Sequence, residues 1–414
     1  MRKSFVFMVF VGCLFALISS TVQAQATAPQ AITFDNAGEV TSISEIVIMA
    51  QRFGMRFTPV TDRLVVASDS GVTLYNSFTG AIDMQLIDGD FDGYAFTSDE
   101  SLFYFSDDDG LHVLDMETME TEVLTTLKGG LVLSPDDHLI AIDQVDRCYV
   151  GGCTGQMILV DALSGEIVFS DAYAEEYLND FAFSPDGSMF AYSINATTTW
   201  SNFNQSGTGF PSAVVHVVDL SSMEDLLTVA VDQGVLGNLF FTADGSQLVY
   251  DTLTMTDDSP EWSSAAIHVL NVTTGEEDAR WALPMVIQSA SPDGRYLHGE
   301  NSVALPGWIT FGMESGKIVT VADGEVRVIP TLFANPAFDP SSTLIAFGGG
   351  EDTGAVRFMS LETGDIVDPL GLMDVTPVFS VIFSPQGTLV AGQYTDTDNR
   401  EEHHILIFGI PAGS

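Results

Sequence analysis

Lysine is almost missing from this chain of 414 residues; it occurs only at Lys3, Lys128 and Lys317. Lysine and arginine together number 13 against 57 aspartates and glutamates, a formal net charge of −44 at neutral pH. A field of that sign repels nucleic acid and anionic membrane surfaces, which excludes both as partners held by charge. It suits a saline medium that screens the charges. Cysteine is scarce too, at Cys13, Cys148 and Cys153. Two thiols without a neighbouring histidine do not complete a tetrahedral zinc site. In an exported chain, Cys148 and Cys153 of "DRCYVGGCTG" read instead as a disulfide that pins a hairpin loop. Beyond the first 24 residues no apolar run approaches the ~18 residues that a membrane span needs. Catalytic signatures are absent: there is no G-x-S-x-G elbow, P-loop, H-E-x-x-H or dinucleotide fingerprint. Paired carboxylates abound, but in so acidic a chain their pairing carries no information.

The chain opens with Arg2-Lys3, an apolar stretch from Phe5 to Ile18, and "SSTVQA". Val22 and Ala24 occupy the small-residue positions of a signal-peptidase site. Residues 1–24 are therefore expected to be a signal peptide cleaved near Ala24, giving a secreted, periplasmic or cell-envelope protein. Val11-Gly12-Cys13 is part of a lipid-attachment box, so lipidation at Cys13 is the alternative.

What the chain does contain is one phrase, repeated. "FTPVTDRLVVAS" from Phe57 returns as "FTSDESLFYFS" from Phe96, "LSPDDHLIAID" from Leu133 and "FSPDGSMFAYS" from Phe183. It returns again as "FTADGSQLVYD" from Phe241, "ASPDGRYLHGE" from Ala290, "FDPSSTLIAFG" from Phe338 and "FSPQGTLVAGQ" from Phe383. The starts lie 37 to 58 residues apart, the spacing of a tandem supersecondary unit. Each unit reads as a strand, a tight Pro/Gly turn, a β-branched and aromatic strand, a third strand such as "VVHVVD", a Gly turn and a weaker fourth strand. A small antiparallel sheet with two apolar faces cannot stand alone. Several arranged radially bury both faces, which makes an all-β propeller of four-stranded blades. Eight units favour eight blades, with seven as the alternative. Residues 54–414 hold the repeats and 25–53 an N-terminal segment. The last unit lacks an outer strand, and "AITFDNAGEV" (31–40) is expected to supply it and close the ring.

The turn, together with the Asp that ends the third strand (Asp115, Asp161, Asp219), resembles the WD-repeat and related SPDG-type β-propellers. The resemblance covers nearly the whole chain after residue 30 and implies a divergent secreted, bacterial-type member. No unit carries the family's Trp-Asp or Gly-His pair, so its buried hydrogen-bond network is not implied here.

Long inserts fall on one face of the ring: residues 143–155, 194–212, 253–264, 299–308 and 394–402. Trp200, Phe203, Phe210, Trp262 and Trp308 lie in them among Asn, Ser and Thr. Such a surface suits a protein or glycan partner on the loop-rich face, and packing of the rings onto the blade tops is the other reading. "DGDFDGYAFTSD" places Asp88, Asp90, Asp92 and Asp99 at positions 1, 3, 5 and 12 of a calcium loop. Asp-Gly pairs also form ordinary turns. His112, His216, His268 and His404 occupy third strands of different units and read as strand positions of mixed polarity, not metal ligands.

The expected function is an exported, non-enzymatic, monomeric ring that binds a protein or glycan through its loop-rich face, with calcium as the one cofactor suggested. Two alternatives stand beside it. One is a propeller enzyme, lactonase-like or a quinone-dependent dehydrogenase, with a central-channel site. The other is a purely structural envelope protein.

Overall fold

The computed structural model describes residues 29–411 except 150–151, 197–212, 232–233, 257–258, 284, 306–307, 312–315, 331–334, 350–354, 373–375, 377 and 396–400. Eight four-stranded antiparallel blades form a ring, a β-propeller. Inner strands run from Phe53–Phe57 in blade 1 to Ser380–Phe383 in blade 8. Blades 3 and 4 are joined without a break. The single strand Ile167–Phe183 pairs through its first half with Gly152–Asp161 of blade 3 and through its second half with Met189–Ala196 of blade 4.

The repeated turn builds itself. In blade 3 the Ser134 hydroxyl donates to Asp136 (2.6 Å) and accepts from the N–H of Leu139 (2.9 Å). Ser184 does the same with Asp186 and Met189 in blade 4, and Thr242 with Asp244 and Gln247 in blade 5. The Asp that ends the third strand caps the next turn: Asp115, Asp161 and Asp219 each accept from N–H groups two and three residues on. Here that residue is an Asx-turn former, which replaces a loose loop end with satisfied donors.

Apolar side chains are buried between neighbouring blades, not within one. Val65, Ala67, Val72 and Leu74 of blade 1 pack against Tyr94, Phe96, Phe103 and Phe105 of blade 2. Ring closure obeys the same logic, but with a strand other than the one expected. The outer strand of blade 8 is Thr41–Met49, paired from Thr41↔Gly409 to Met49↔Glu402. Its Ile46 and Ile48 join Leu389, Ile405, Ile407, Leu64 and Val66 in one cluster. Residues 31–40 do not form a strand, because Asp35-Asn36-Ala37-Gly38 folds into a turn and a short 3-10 segment, Ala37–Glu39. They act instead as a strap: Ile32, Ala37 and Val40 are buried against Leu344, Phe358, Leu372 and Phe408.

Hydrogen bonds also staple the first turns of adjacent blades. Four of these turns have glycine in the left-handed region (Gly187, Gly245, Gly294, Gly387). The other four carry Asp62, Glu100, Asp137 and Ser342 there, with φ between 52° and 62°. A side chain in that region costs about 1 kcal/mol or more, and each of the four uses it to reach a neighbour. Thr388 Oγ1 donates to Asp62 (2.7 Å), Ser98 N–H to Asp137 (2.9 Å), and Asp293 N–H to Ser342 (3.0 Å). Glu100 accepts from the N–H groups of Val60 (2.6 Å) and Thr61 (2.7 Å), from Thr61 Oγ1 (2.7 Å) and from the Arg63 guanidinium (3.1 Å).

Candidate functional site: the raised side of blades 3 to 6

Second and third strands are short in blades 1, 2 and 7, five or six residues each. In blade 3 they are Leu139–Tyr149 and Gly152–Asp161, and in blade 5 Gln247–Thr256 and Ser259–Asn271. In blade 6, Tyr296–Leu305 pairs at its far end with an added strand, Trp308–Phe311. The expected loops 143–155, 253–264 and 299–308 are therefore mostly hairpin extensions that project beyond the blade tops. The reason is local: "TLTMT" at 252–256 and "QVDRCY" at 144–149 continue to alternate or stay rich in strand formers. Trp262 sits in the blade 5 hairpin opposite Met255, and Trp308 opens the added strand opposite Leu305. Trp200, Phe203 and Phe210 lie outside the described residues. Cys148 and Cys153 face each other across the blade 3 hairpin and form a disulfide, with Cα atoms 4.0 Å apart.

Below this wall, polar side chains brace the blades. Tyr173 crosses over the third strand of blade 3 to donate to Asp143 (2.6 Å). Only a glycine allows this, since a Cβ on Gly155 would come within 2.5 Å of the Tyr173 hydroxyl. Tyr192 of blade 4 donates to Asp171 of blade 3 (2.7 Å). At the next junction, Asn195 clasps the backbone of Leu236 with both ends of its amide (2.8 and 3.1 Å). Asn179 donates to the Gly237 carbonyl (2.5 Å), and Asp180 accepts from the Leu239 N–H (2.8 Å). The bulge between Leu236 and Leu239 turns successive N–H groups outward for this purpose.

Asp251 lies at the centre of the next junction and is fully buried. It accepts from the N–H of Asn238 (3.0 Å), while Asn238 Nδ2 donates to the Ile287 carbonyl (2.6 Å). Its Oδ2 has no partner. Burial, reinforced by the negative Asp180, lifts its pKa to about 8. The folded ring thus favours the proton relative to the unfolded chain, whose value is near 3.8. The associated stability is complete below the unfolded value and is lost as pH rises towards 8. Asp251→Asn is expected to lose less melting temperature than the native chain between pH 5 and 8. Parallel slopes in a pH series of thermal melts would contradict the assignment.

The calcium loop does not assemble as expected. Asp99 is the turn-capping Asp of blade 2, equivalent to Asp136 and Asp186, and hydrogen bonds from Ser101 and Thr97 hold its carboxyl at about 2. It therefore belongs to the opposite face from Asp88, Asp90 and Asp92. What meets Asp90 and Asp92 is the Asp107-Asp108-Asp109 turn, around a cavity of about 220 Å3. That cluster is partly answered within the chain: Lys128 contacts Asp108 (2.6 Å) and His112 contacts Asp107 (2.8 Å). Among the described residues, no three His, Cys, Asp or Glu side chains are disposed to hold a metal ion.

The third-strand histidines share one arrangement that sequence reading missed. Each lies flat on the aromatic ring paired with it: His112 on Phe105, His216 on Tyr192, His268 on Tyr250 and His404 on Tyr394, with interplanar angles of 5° to 8°. Each also contacts a carboxylate: Asp107, Asp225, Glu277 or Glu45. Blade 7 substitutes Arg357, over Phe347 and paired with Asp368. The signal was available, since each histidine faces an aromatic in the preceding strand at the same register.

No known family profile matches the chain. No curated protein matches it by sequence. Among solved structures it is similar to the Dos1 propeller, with 12% identity and a TM-score of 0.59 over 91% of this chain and 97% of that one. It also matches the Kuenenia stuttgartiensis hydrazine synthase, with 14% identity and a TM-score of 0.48 over 88% of this chain and 97% of that one. At these identities the likeness is one of fold: the chain is a β-propeller of the same general architecture as the first of these.

Proposed function

We propose that the protein is an exported, non-enzymatic propeller, a divergent SPDG-type ring, whose raised side binds a protein or glycan partner. The observation that carries this reading is the one-sided extension of blades 3, 5 and 6 into hairpins, braced from below by side chains that link blades 3 to 6. A surface held rigid before contact loses little entropy to ordering on binding. Trp262 and Trp308, placed on these hairpins, are the aromatic anchors this reading would use. The disulfide supports an oxidising compartment. No helix among the described residues is long and apolar enough to cross a membrane.

The test is capture from envelope and culture-medium fractions, together with glycan-array binding, using the full chain and a variant whose blade 5 hairpin is cut to a short turn between Thr254 and Ser264. The expected result is one partner or glycan class held by the full chain and lost by the variant, with unchanged melting temperature. Identical profiles on both baits would refute the reading. Calcium and chelator lanes report separately whether the carboxylates around Asp90 and Asp108 take part.

A further inference from the structure

The opposite face of the ring, made of short turns, carries a groove of about 530 Å3 between blades 3 and 4. Its apolar lining includes Leu139, Met189, Met223 and Leu226. Asp136 and Asp219 stand in the lining beside them, with His138 the one basic side chain.

The backbone marks Met223 as unusual. Seven second turns, between third and outer strands, close with the same bond, an N–H donating to the carbonyl four residues earlier. Five of them place glycine at that position: Gly80, Gly165, Gly275, Gly324 and Gly364, with φ between 68° and 78°. Blades 2 and 4 place Met119 and Met223 there, at φ 60° and 56°. Among the described residues, the only other non-glycine positions with positive φ are the four staples Asp62, Glu100, Asp137 and Ser342, each of which makes a hydrogen bond to a neighbouring blade. A methionine has no such hydrogen bond to offer. Met223 instead delivers a flexible, polarizable side chain into the groove, while Met119 is simply 44% exposed. On the neighbouring outer strand, Leu226 remains 47% exposed, a large aliphatic side chain left uncovered.

We infer that this groove is a second docking site, which takes a peptide segment of a partner protein bearing an aliphatic or thioether side chain flanked by lysine or arginine. The apolar floor selects the central side chain. The flanking charge is selected by Asp136 and Asp219, on a chain with 57 acidic against 13 basic residues. Both carboxylates are fixed by turn hydrogen bonds, Asp136 from Ser134 and His138, and Asp219 from Ser221 and Ser222. Each therefore presents its charge in a set place.

The experiment uses the full chain and a peptide array at pH 8 in which a central Leu, Met, Asn or Asp is flanked by paired lysines or paired glutamates. Leu- and Met-centred, lysine-flanked peptides are expected to bind, and the others to bind at least about tenfold more weakly. Two variants decide the location. Met223→Gly removes the lining side chain and relieves the backbone, so it should weaken binding about tenfold while its melting temperature holds or rises. Leu226→Arg, at an exposed site, should abolish binding of the lysine-flanked peptides without unfolding the ring. The inference is overturned if glutamate- and lysine-flanked peptides bind alike or if both variants bind as the native chain does. A marked drop in melting temperature for Met223→Gly would also overturn it, since Met223 would then serve packing.

Discussion

Ile46→Asp is expected to open the ring and cost about 4 kcal/mol or more of stability. Ile46 is 2% exposed in the closing strand, against Ile405 and Ile407 of the strand it pairs with and Leu64 and Val66 of blade 1. A carboxylate there has no cationic partner in that cluster, so it must either stay charged in an apolar layer or displace the strand. Displacement exposes the edge of Glu402–Gly409 along its full pairing length. The readouts are urea unfolding and limited proteolysis, with cleavage expected near residues 41–52 well before any other site. A variant as protease-resistant as the native chain, with an unchanged urea midpoint, would mean that the ring closes by some other contact.

Glu100→Ala should be the most costly single loss among the inter-blade staples, about 3–5 kcal/mol. It removes the acceptor of two backbone N–H groups, of the Thr61 hydroxyl and of one arm of the Arg63 guanidinium, whose Nε still donates to Thr61 Oγ1. Glu100→Gln keeps an acceptor and should cost less than half as much. Burial alone would raise the pKa of this carboxyl, but the hydrogen bonds from Thr61 and Val60 outweigh it and hold it at about 2, against 4.5 when unfolded. The folded value is the lower one, so the stabilisation is present above pH 4.5 and is lost as pH falls towards 2. Between pH 5 and 2 the native chain should therefore lose more stability than Glu100→Gln. Equal acid sensitivity of the two would place the titration elsewhere.

The repeat was legible because its turn is chemically self-contained. Ser134, Asp136 and Leu139 satisfy one another within six residues, so the pattern survives in the sequence wherever the turn does. Asp99 could have been read the same way, since "FTSDES" aligns it with the turn-capping Asp and not with a calcium shell. Closure by an N-terminal strand was legible, but its position was not: "SEIVIM" (44–49) is a short apolar run whose partner is at the far end of the chain, and nothing local marks it over residues 31–40. Trp262 and Trp308 were placed in loops where the strands in fact continue. The braces were beyond reach for a different reason. Asp180 with Leu239, Asn238 with Ile287 and Glu100 with Thr61 are common residue types joined across separate blades, and only the ring decides which of them meet.

Glu45 and His404 touch across 359 residues of sequence, in the strand pair that closes the ring. During synthesis at ~5–20 residues per second, the strand Thr41–Met49 waits on the order of 20–70 s before its partner exists. Throughout that interval Leu64 and Val66 of blade 1 lack the Leu389, Ile405 and Ile407 side chains that complete their cluster, and each newly completed blade carries an open flank. The two open flanks are covered together only when the Glu402–Gly409 strand pairs with Thr41–Met49, so closing the ring removes both adhesive edges in one step.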